Sequence, residues 1–409
     1  VSRRPWRWLA ALGLMTLSCL PARADEIESQ QLYQQALLSI AEGRKNDASE
    51  TLSRVIEQEP LHAGAWLDLA LIQCALGHAE EADRLFSTIE QRFNPPPGIR
   101  EVITDARQGG CSKWQASSRG SFSFGRGISQ NVNQGASRPT YGVIDGGVPI
   151  ELPLLPEFLP QHDQYSAVTA DYQRDLTPNG TTGYAQMQER RYDSLHQYNS
   201  TALLVGVDTP WRFGQWTLRS AANLDFVTLG GQLYQRQVQV QARVGPPLPL
   251  PNSMQFNFGV TLSHLEYLTL DNFNANTGEV RGQFTYRKED SSVSLSAAWL
   301  SDHALAARPG GDRQGWQFQL QGRRRLVGDV SGELAYSHQN WRSSSVYALN
   351  FIDVVRKQTT HVLRAALTYP INRSQSLLLE GRAVQNQENI SIFQYNDRQL
   401  QLSWLWQWP

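Results

Sequence analysis

The side chains of this chain that could do chemistry are few and scattered. They are the carboxylates Asp175, Asp225, Glu333 and Glu380, the arginines Arg219, Arg243, Arg281, Arg364 and Arg382, eight histidines, and the cysteines Cys74 and Cys111. Two carboxylates in unlike surroundings would supply a general acid and a general base. Clustered arginines would hold an anionic group. The spacing assembles neither. The histidines form no His-Glu-x-x-His and no Cys/His cluster, so no metal site is expected. Pro309-Gly310-Gly311 is followed by no helical pattern and reads as a turn, not as a phosphate-cradling loop. No carboxylate pair and no nucleophile constellation stand at active-site spacing. The expectation is a protein that is not an enzyme and uses no cofactor.

The charged residues do share one property: they fall on the polar face of segments in which apolar residues recur at every second position. Met254, Phe256, Phe258, Val260 and Leu262 alternate with Gln255, Asn257, Gly259, Thr261 and Ser263. Val238, Val240, Ala242 and Val244 alternate with Gln237, Gln239, Gln241 and Arg243, and Trp316, Phe318 and Leu320 with Gln317, Gln319 and Gln321. At the end of the chain Leu400, Leu402, Trp404, Trp406 and Trp408 point one way, and Gln401, Ser403, Leu405 and Gln407 the other. A period of two is the mark of strands with one apolar and one polar face. Long Gln and Arg side chains suit a hydrated lumen, and aromatics near strand ends, such as Trp216 and Phe226, suit two interfacial girdles. The reading is an antiparallel transmembrane barrel of about fourteen strands over residues 108–409. Its strands are expected to begin near residues 115, 163, 181, 197, 214, 233, 252, 279, 291, 314, 330, 358, 374 and 395. Long loops are expected over 127–161, 265–278, 301–313 and 341–356, and tight turns at 178–180, 326–329 and 372–374. The aromatic final strand is of the kind that barrel assembly machinery recognises, with Pro409 as a departure after Trp408. Inside such a barrel Arg219, Arg243, Arg281, Arg364 and Arg382 are read as pairing with Asp225, Glu333 and Glu380; attraction of an anionic substrate is the alternative.

Residues 25–107 follow a different rule. Aligning Gly43 with Gly77, a spacing of 34, places Leu32 on Trp66, Ala36 on Ala70, Ala48 on Ala82 and Leu52 on Phe86. The alanines let paired helices approach closely, and the glycines end the first helix of each pair in a left-handed conformation. Period and positions resemble the tetratricopeptide repeat, with 98–107 as a capping helix. Ahead of it, Arg3, Arg4 and Arg7, the apolar stretch Leu9–Leu20 and Ala22-Arg23-Ala24 read as a signal peptide over 1–24. Cys19 offers lipoprotein processing as the alternative, but bulky Leu17 stands where that processing site wants a small residue. In an oxidising compartment Cys74 and Cys111 would either pair, tying the helical domain to the start of the barrel, or stay apart with Cys74 buried. The chain of 409 residues carries a net charge of −1, which gives no basic field for nucleic acid. Its mean hydropathy of −0.43 and lack of long apolar runs leave no spanning helix, which says nothing against strands.

Signal peptide, helical repeats and a barrel of this size together resemble the surface lipoprotein assembly modulator family, called Slam. The local match is Ser121-Phe122-Ser123-Phe124-Gly125 followed by Gln130-Asn131-Val132-Asn133-Gln134, with Gln130 where the family usually has Ser; the ending around Arg398 to Trp408 is similar in style. The resemblance implies help in moving a client protein or lipoprotein across the outer membrane, with the repeats in the periplasm engaging the client or periplasmic chaperones. The residues themselves also admit an exopolysaccharide-export porin, although such proteins usually carry many more repeats and a somewhat larger barrel, and a structural or adhesive outer-membrane protein.

Overall fold

The computed structural model describes residues 22–111, 116–251 and 253–408. The signal peptide expected over 1–24 therefore falls almost wholly outside the described residues, as does Pro409. The chain divides into two compact units, Val1–Gln115 and Ala116–Pro409.

Among its described residues the first unit holds five helices: α1 (Ala22–Ala41), α2 (Lys45–Gln58), α3 (Ala63–Ala75), α4 (Ala79–Phe93) and α5 (Pro97–Gln108). The 34-residue register is visible in three dimensions. Ala36, Ala70, Ala48, Ala82, Leu52 and Phe86 have no exposed surface, and Leu32 and Trp66 pack against them. Gly43 and Gly77 have φ of +76° and +83°. At each, two N–H groups turn back onto the preceding helix: Gly43 to Ile40 and Arg44 to Ser39, Gly77 to Cys74 and His78 to Gln73. This is the double backbone bond that satisfies orphan carbonyls at a helix end. Between α1 and α2 the wholly buried Arg44 donates to Ser39, Glu42 and Asp47, a feature the apolar pattern did not reveal. Tyr33 Oη donates to Asp68 at 2.7 Å and fastens α1 to α3. Burial, and then this bond, push the phenol up to about 12.

Cys74 and Cys111 are joined. The bridge does not tie the helical unit to the barrel, as one reading expected. The helical unit runs on past residue 107, and Cys111 packs back against its core with Cα atoms 4.4 Å apart.

The second unit is a closed antiparallel barrel of fourteen strands. Its first strand is β1 (Ser118–Ser129). A separate hairpin, β2 (Thr140–Asp145) and β3 (Val148–Pro153), stands in the loop that follows. The remaining barrel strands are β4 (Asp163–Asp175), β5 (Thr182–Tyr192), β6 (Ser200–Phe213), β7 (Trp216–Leu229), β8 (Gln232–Gly245), β9 (Met254–Tyr267), β10 (Ala275–Lys288), β11 (Ser291–Ala304), β12 (Arg313–Arg325), β13 (Ser331–Ala348), β14 (Ile352–Pro370), β15 (Gln375–Glu388) and β16 (Tyr395–Trp408). Closure is made by β1 on β16, from Gly120↔Trp408 to Ser129↔Gln399. Both barrel termini therefore lie at one end. That end carries the turns after β4, β6, β8, β10, β12 and β14; the other carries the long first loop.

The expected loop over 341–356 is a correction: β13 and β14 run through it as a paired extension that turns only at Leu349–Phe351, with register shifts near Val346. The loop expected over 265–278 likewise narrows to the few residues between Tyr267 and Ala275. The outward positions form an apolar belt. Val238, Val240, Leu262, Trp316, Leu400 and Leu402 are all exposed, Trp316 to 60%. A strand of fourteen residues tilted by about 40° spans on the order of 35 Å along the barrel axis, enough to cross a bilayer.

Opening the disulfide (Cys74→Ser with Cys111→Ser) should weaken the helical unit by about 3–4 kcal/mol, from the 37-residue loop it closes. Amide exchange over residues 63–108 should accelerate while the barrel amides keep their protection; unchanged exchange in α3–α5 would contradict this.

Candidate functional site

The lumen is built by register. Ladder pairing carries one inward residue to the next: Arg219↔Arg243↔Gly259↔Arg281 across β7 to β10, then Ala298, Gln317, Gln339 and Thr360 across β11 to β14. All eight charges expected in the lumen occupy inward positions. Gly259, without a side chain, leaves room between Arg243 and Arg281.

The charges fall into separate arrangements. Arg364 is held between two carboxylates, Glu380 at 2.6 Å and Glu333. Arg281 pairs with Glu279 and also donates to Ser296 (2.9 Å), Gln317 (2.8 Å) and Gln319 (3.2 Å). Arg219 pairs with Asp208 rather than the expected Asp225, its Nε donating at 3.0 Å. Asp208 is the inward neighbour that the β6–β7 register brings beside it. For Arg243, Arg382 and Asp225 no ion pair forms among the described residues. The structural-network expectation thus describes Arg219, Arg281, Arg364, Glu333 and Glu380, and it does not extend to these three. Asp175, also on the polar face, accepts from Ser117 Oγ at 2.6 Å.

Two cavities share Gln241 and Arg243. One of about 970 Å³ lies towards the end with the termini and is lined by Asp171, Tyr184, Asp208, Arg219 and Arg243. The other, of about 220 Å³, is lined by Arg243, Asn257, Arg281, Gln283, Ser296 and Gln319, among others, and no carboxylate faces it. Amides, hydroxyls and guanidinium groups make this wall a surface of hydrogen-bond donors and acceptors.

At the opposite mouth the structure brings together residues that sequence reasoning singled out only as a likeness. Asn131 N–H donates to Asp397 at 3.0 Å, and its side-chain amide donates to the carbonyls of Gly135 and Asn396, both at 2.9 Å. Asn133 donates to the carbonyls of Glu157 and Leu159 and accepts from Gln161 N–H. These two asparagines staple both limbs of the first loop together and fasten one limb to β16. Gly135 is required here: a Cβ would stand 2.3 Å from the Leu159 carbonyl carbon. Val132 packs on Tyr165 and Tyr192, which point inward, and Tyr165 lies across Gly127 with its Oη bonded to Gln401 at 3.1 Å. Further pairs ring this mouth: Asp302 with Arg308 and Arg313, each at 2.6 Å, and Glu388 with Arg356 at 2.6 Å. Arg313 also stacks over Trp341, and Arg356 over Phe393. None of these pairs was anticipated. Their signal lay in charges at strand ends, where alternation fades.

No protein-family model matches the chain, and no curated protein matches it. Solved structures that resemble it include an anion-selective porin from Comamonas acidovorans (9% identity, 72% of this chain and 99% of that one, TM-score 0.39). The outer membrane channel DcaP of Acinetobacter baumannii is another (10% identity, 73% and 99%, TM-score 0.39). A third is a FadL homologue of Pseudomonas aeruginosa (8% identity, 71% and 90%, TM-score 0.39). The class defined by the fold itself is a closed, antiparallel fourteen-strand β-barrel with an apolar outer belt and a polar lumen, preceded by a unit that holds five helices among its described residues.

Arg364→Gln should leave Glu333 and Glu380 without the guanidinium they share. In a partly wet lumen the expected cost is about 1–2 kcal/mol. It should appear as a lower temperature for the folded-to-unfolded band shift in SDS gels. Adding Glu333→Gln and Glu380→Gln should restore most of it; no change in the single variant would show that the cluster carries no stability.

Proposed function

We propose that the chain is an outer-membrane conduit that helps a client lipoprotein reach the cell surface, as the Slam resemblance implies. The helical unit lies in the periplasm as tetratricopeptide-type repeats and acts as the docking domain. The mature chain starts after Ala24. The observation that carries this reading is the union of two parts in one polypeptide. A barrel with a polar lumen holds both its termini at one end, and it is preceded by helical hairpins that leave Leu38 and Leu61 exposed. Helical-repeat arrays bind partners on the extended surfaces their stacking creates. The end with the termini faces the periplasm, and the stapled first loop faces outward. Periplasmic chaperones and the barrel assembly machinery are the further partners of this reading.

One observation favours a second reading. Gln237, Gln239, Gln241, Gln283, Gln317, Gln319 and Gln321 occupy inward positions on β8, β10 and β12. This amide-rich wall suits a sugar polymer, and so an exopolysaccharide-export porin.

Deleting the gene separates the two. Under the first reading, protease-accessible lipoprotein at the cell surface falls to background, returns with the full chain, and secreted polysaccharide is unchanged. Loss of polysaccharide with every surface lipoprotein still displayed would replace the first reading with the second.

A further inference from the structure

The outer wall of the barrel carries a groove that the lumen does not explain. It has a volume of about 790 Å³ and crosses β11 to β16 on the side facing the bilayer. Two neighbouring outward rows form it, and both follow from the ladder register. One row runs Val293, Gly322, Leu334, Ala365, Gly381, Leu400. The other runs Ser291, Arg324, Gly332, Leu367, Leu379, and Lys288 continues it one strand further, on β10 beside the groove.

The first row is apolar throughout and sinks where side chains are missing. An added Cβ at Gly322 or Gly381 would meet nothing within 4 Å. From Gly322 to Leu400 is four strand spacings, about 19 Å, so the hollow is long and narrow. The second row is leucine where it borders the hollow and becomes cationic at its far end. Lys288 and Arg324 are both exposed and lie on either side of β11, about 10 Å apart at the backbone. Among the described residues neither forms an ion pair. Around them the turns carry Glu289, Asp290 and Asp329; Arg287, Arg323 and Arg325 occupy inward positions, Arg323 across from Glu333, and Arg325 takes Asp290 at 3.3 Å. Cation therefore exceeds carboxylate at this corner.

The corner lies at the turns after β10 and β12, at the barrel end that carries the termini. It is thus at the edge of the apolar belt, where lipid headgroups begin. A cationic pair at headgroup depth, continuous with a narrow apolar trough, complements a phosphate joined to an acyl chain. We propose that this groove is a binding site for one anionic glycerophospholipid, with its phosphate on Lys288 and Arg324 and an acyl chain along Gly322, Ala365 and Gly381. The choice of glycerophospholipid over lipid A rests on the orientation proposed above, in which this end faces the periplasm.

The test is native mass spectrometry of the full mature chain, delipidated in detergent and supplied with phosphatidylglycerol, phosphatidylethanolamine or lipid A. One phosphatidylglycerol should be retained about tenfold over phosphatidylethanolamine, as two interfacial cations imply. Lys288→Gln with Arg324→Gln should reduce that preference to within about twofold. Gly381→Leu, whose side chain enters open space, should reduce retention of phosphatidylglycerol several-fold, with the heat-shifted gel mobility of the folded barrel unchanged. Equal retention of the two phospholipids by the unaltered chain overturns the site. So does a preference that survives both variants, and so does tighter retention of lipid A. Client display in cells is a separate readout, so failure here leaves the translocation reading to its own test.

Discussion

In a layer that offers no water, every backbone N–H and C=O must find a partner within the protein. This requirement organises the whole second unit. Strands satisfy their groups only from neighbours, so the first and last strands must meet, and β1 pairs with β16 over ten residues. Closure in turn sets where everything else can go. With fourteen antiparallel strands, both termini fall at one end. With side chains alternating across the sheet, one face meets lipid and the other water. The tryptophans of β16 and the glutamines beside them are two consequences of the same pleat.

Alternation is also why so much of the barrel was legible. Fourteen strands were expected and fourteen form, because a belt with lipid outside and water inside forces apolar and polar residues to take turns. The errors fall where that force stops. β14 begins at Ile352, six residues before the expected 358, and β13 runs to Ala348. Val354-Val355-Arg356-Lys357 shows no alternation, because this hairpin extends beyond the belt and answers to no membrane. The helical register was legible for a different reason. Gly43 and Gly77 sit where other residues would be strained, and the small alanines sit where helices touch, so residue type reports geometry directly.

Ion partners were less legible. Composition says that inward arginines need carboxylates, but which carboxylate depends on register, and a single-residue slip exchanges the faces. Arg364 found Glu333 and Glu380 because the β13–β15 ladder places them across from its neighbours. Arg219 found Asp208 on β6, where Asp225 on its own strand lies farther along the barrel. The disulfide shows the same limit. Pairing was one of two open readings, but its place within the helical unit depended on how the chain returns after α5.

The mouth joins these arguments. Its sequence segment from Gln130 to Gln134 is polar and has no periodicity, so pattern alone assigns it no structure. Its side chains supply what a ladder supplies elsewhere. Asn131 and Asn133 each donate and accept, which lets a non-strand backbone stay satisfied while it packs against inward-facing Tyr165 and Tyr192. Asparagine suits this position better than an acid, since a carboxylate could accept but not donate. A loop fixed in this way is a wall of the mouth, held to Asn396 and Asp397 of the closing strand. The contact that shapes the entrance therefore depends on the same strand that closes the barrel. A lesion in β16 would open the seam and release the loop together, so the width of the mouth is a property of closure as much as of the loop.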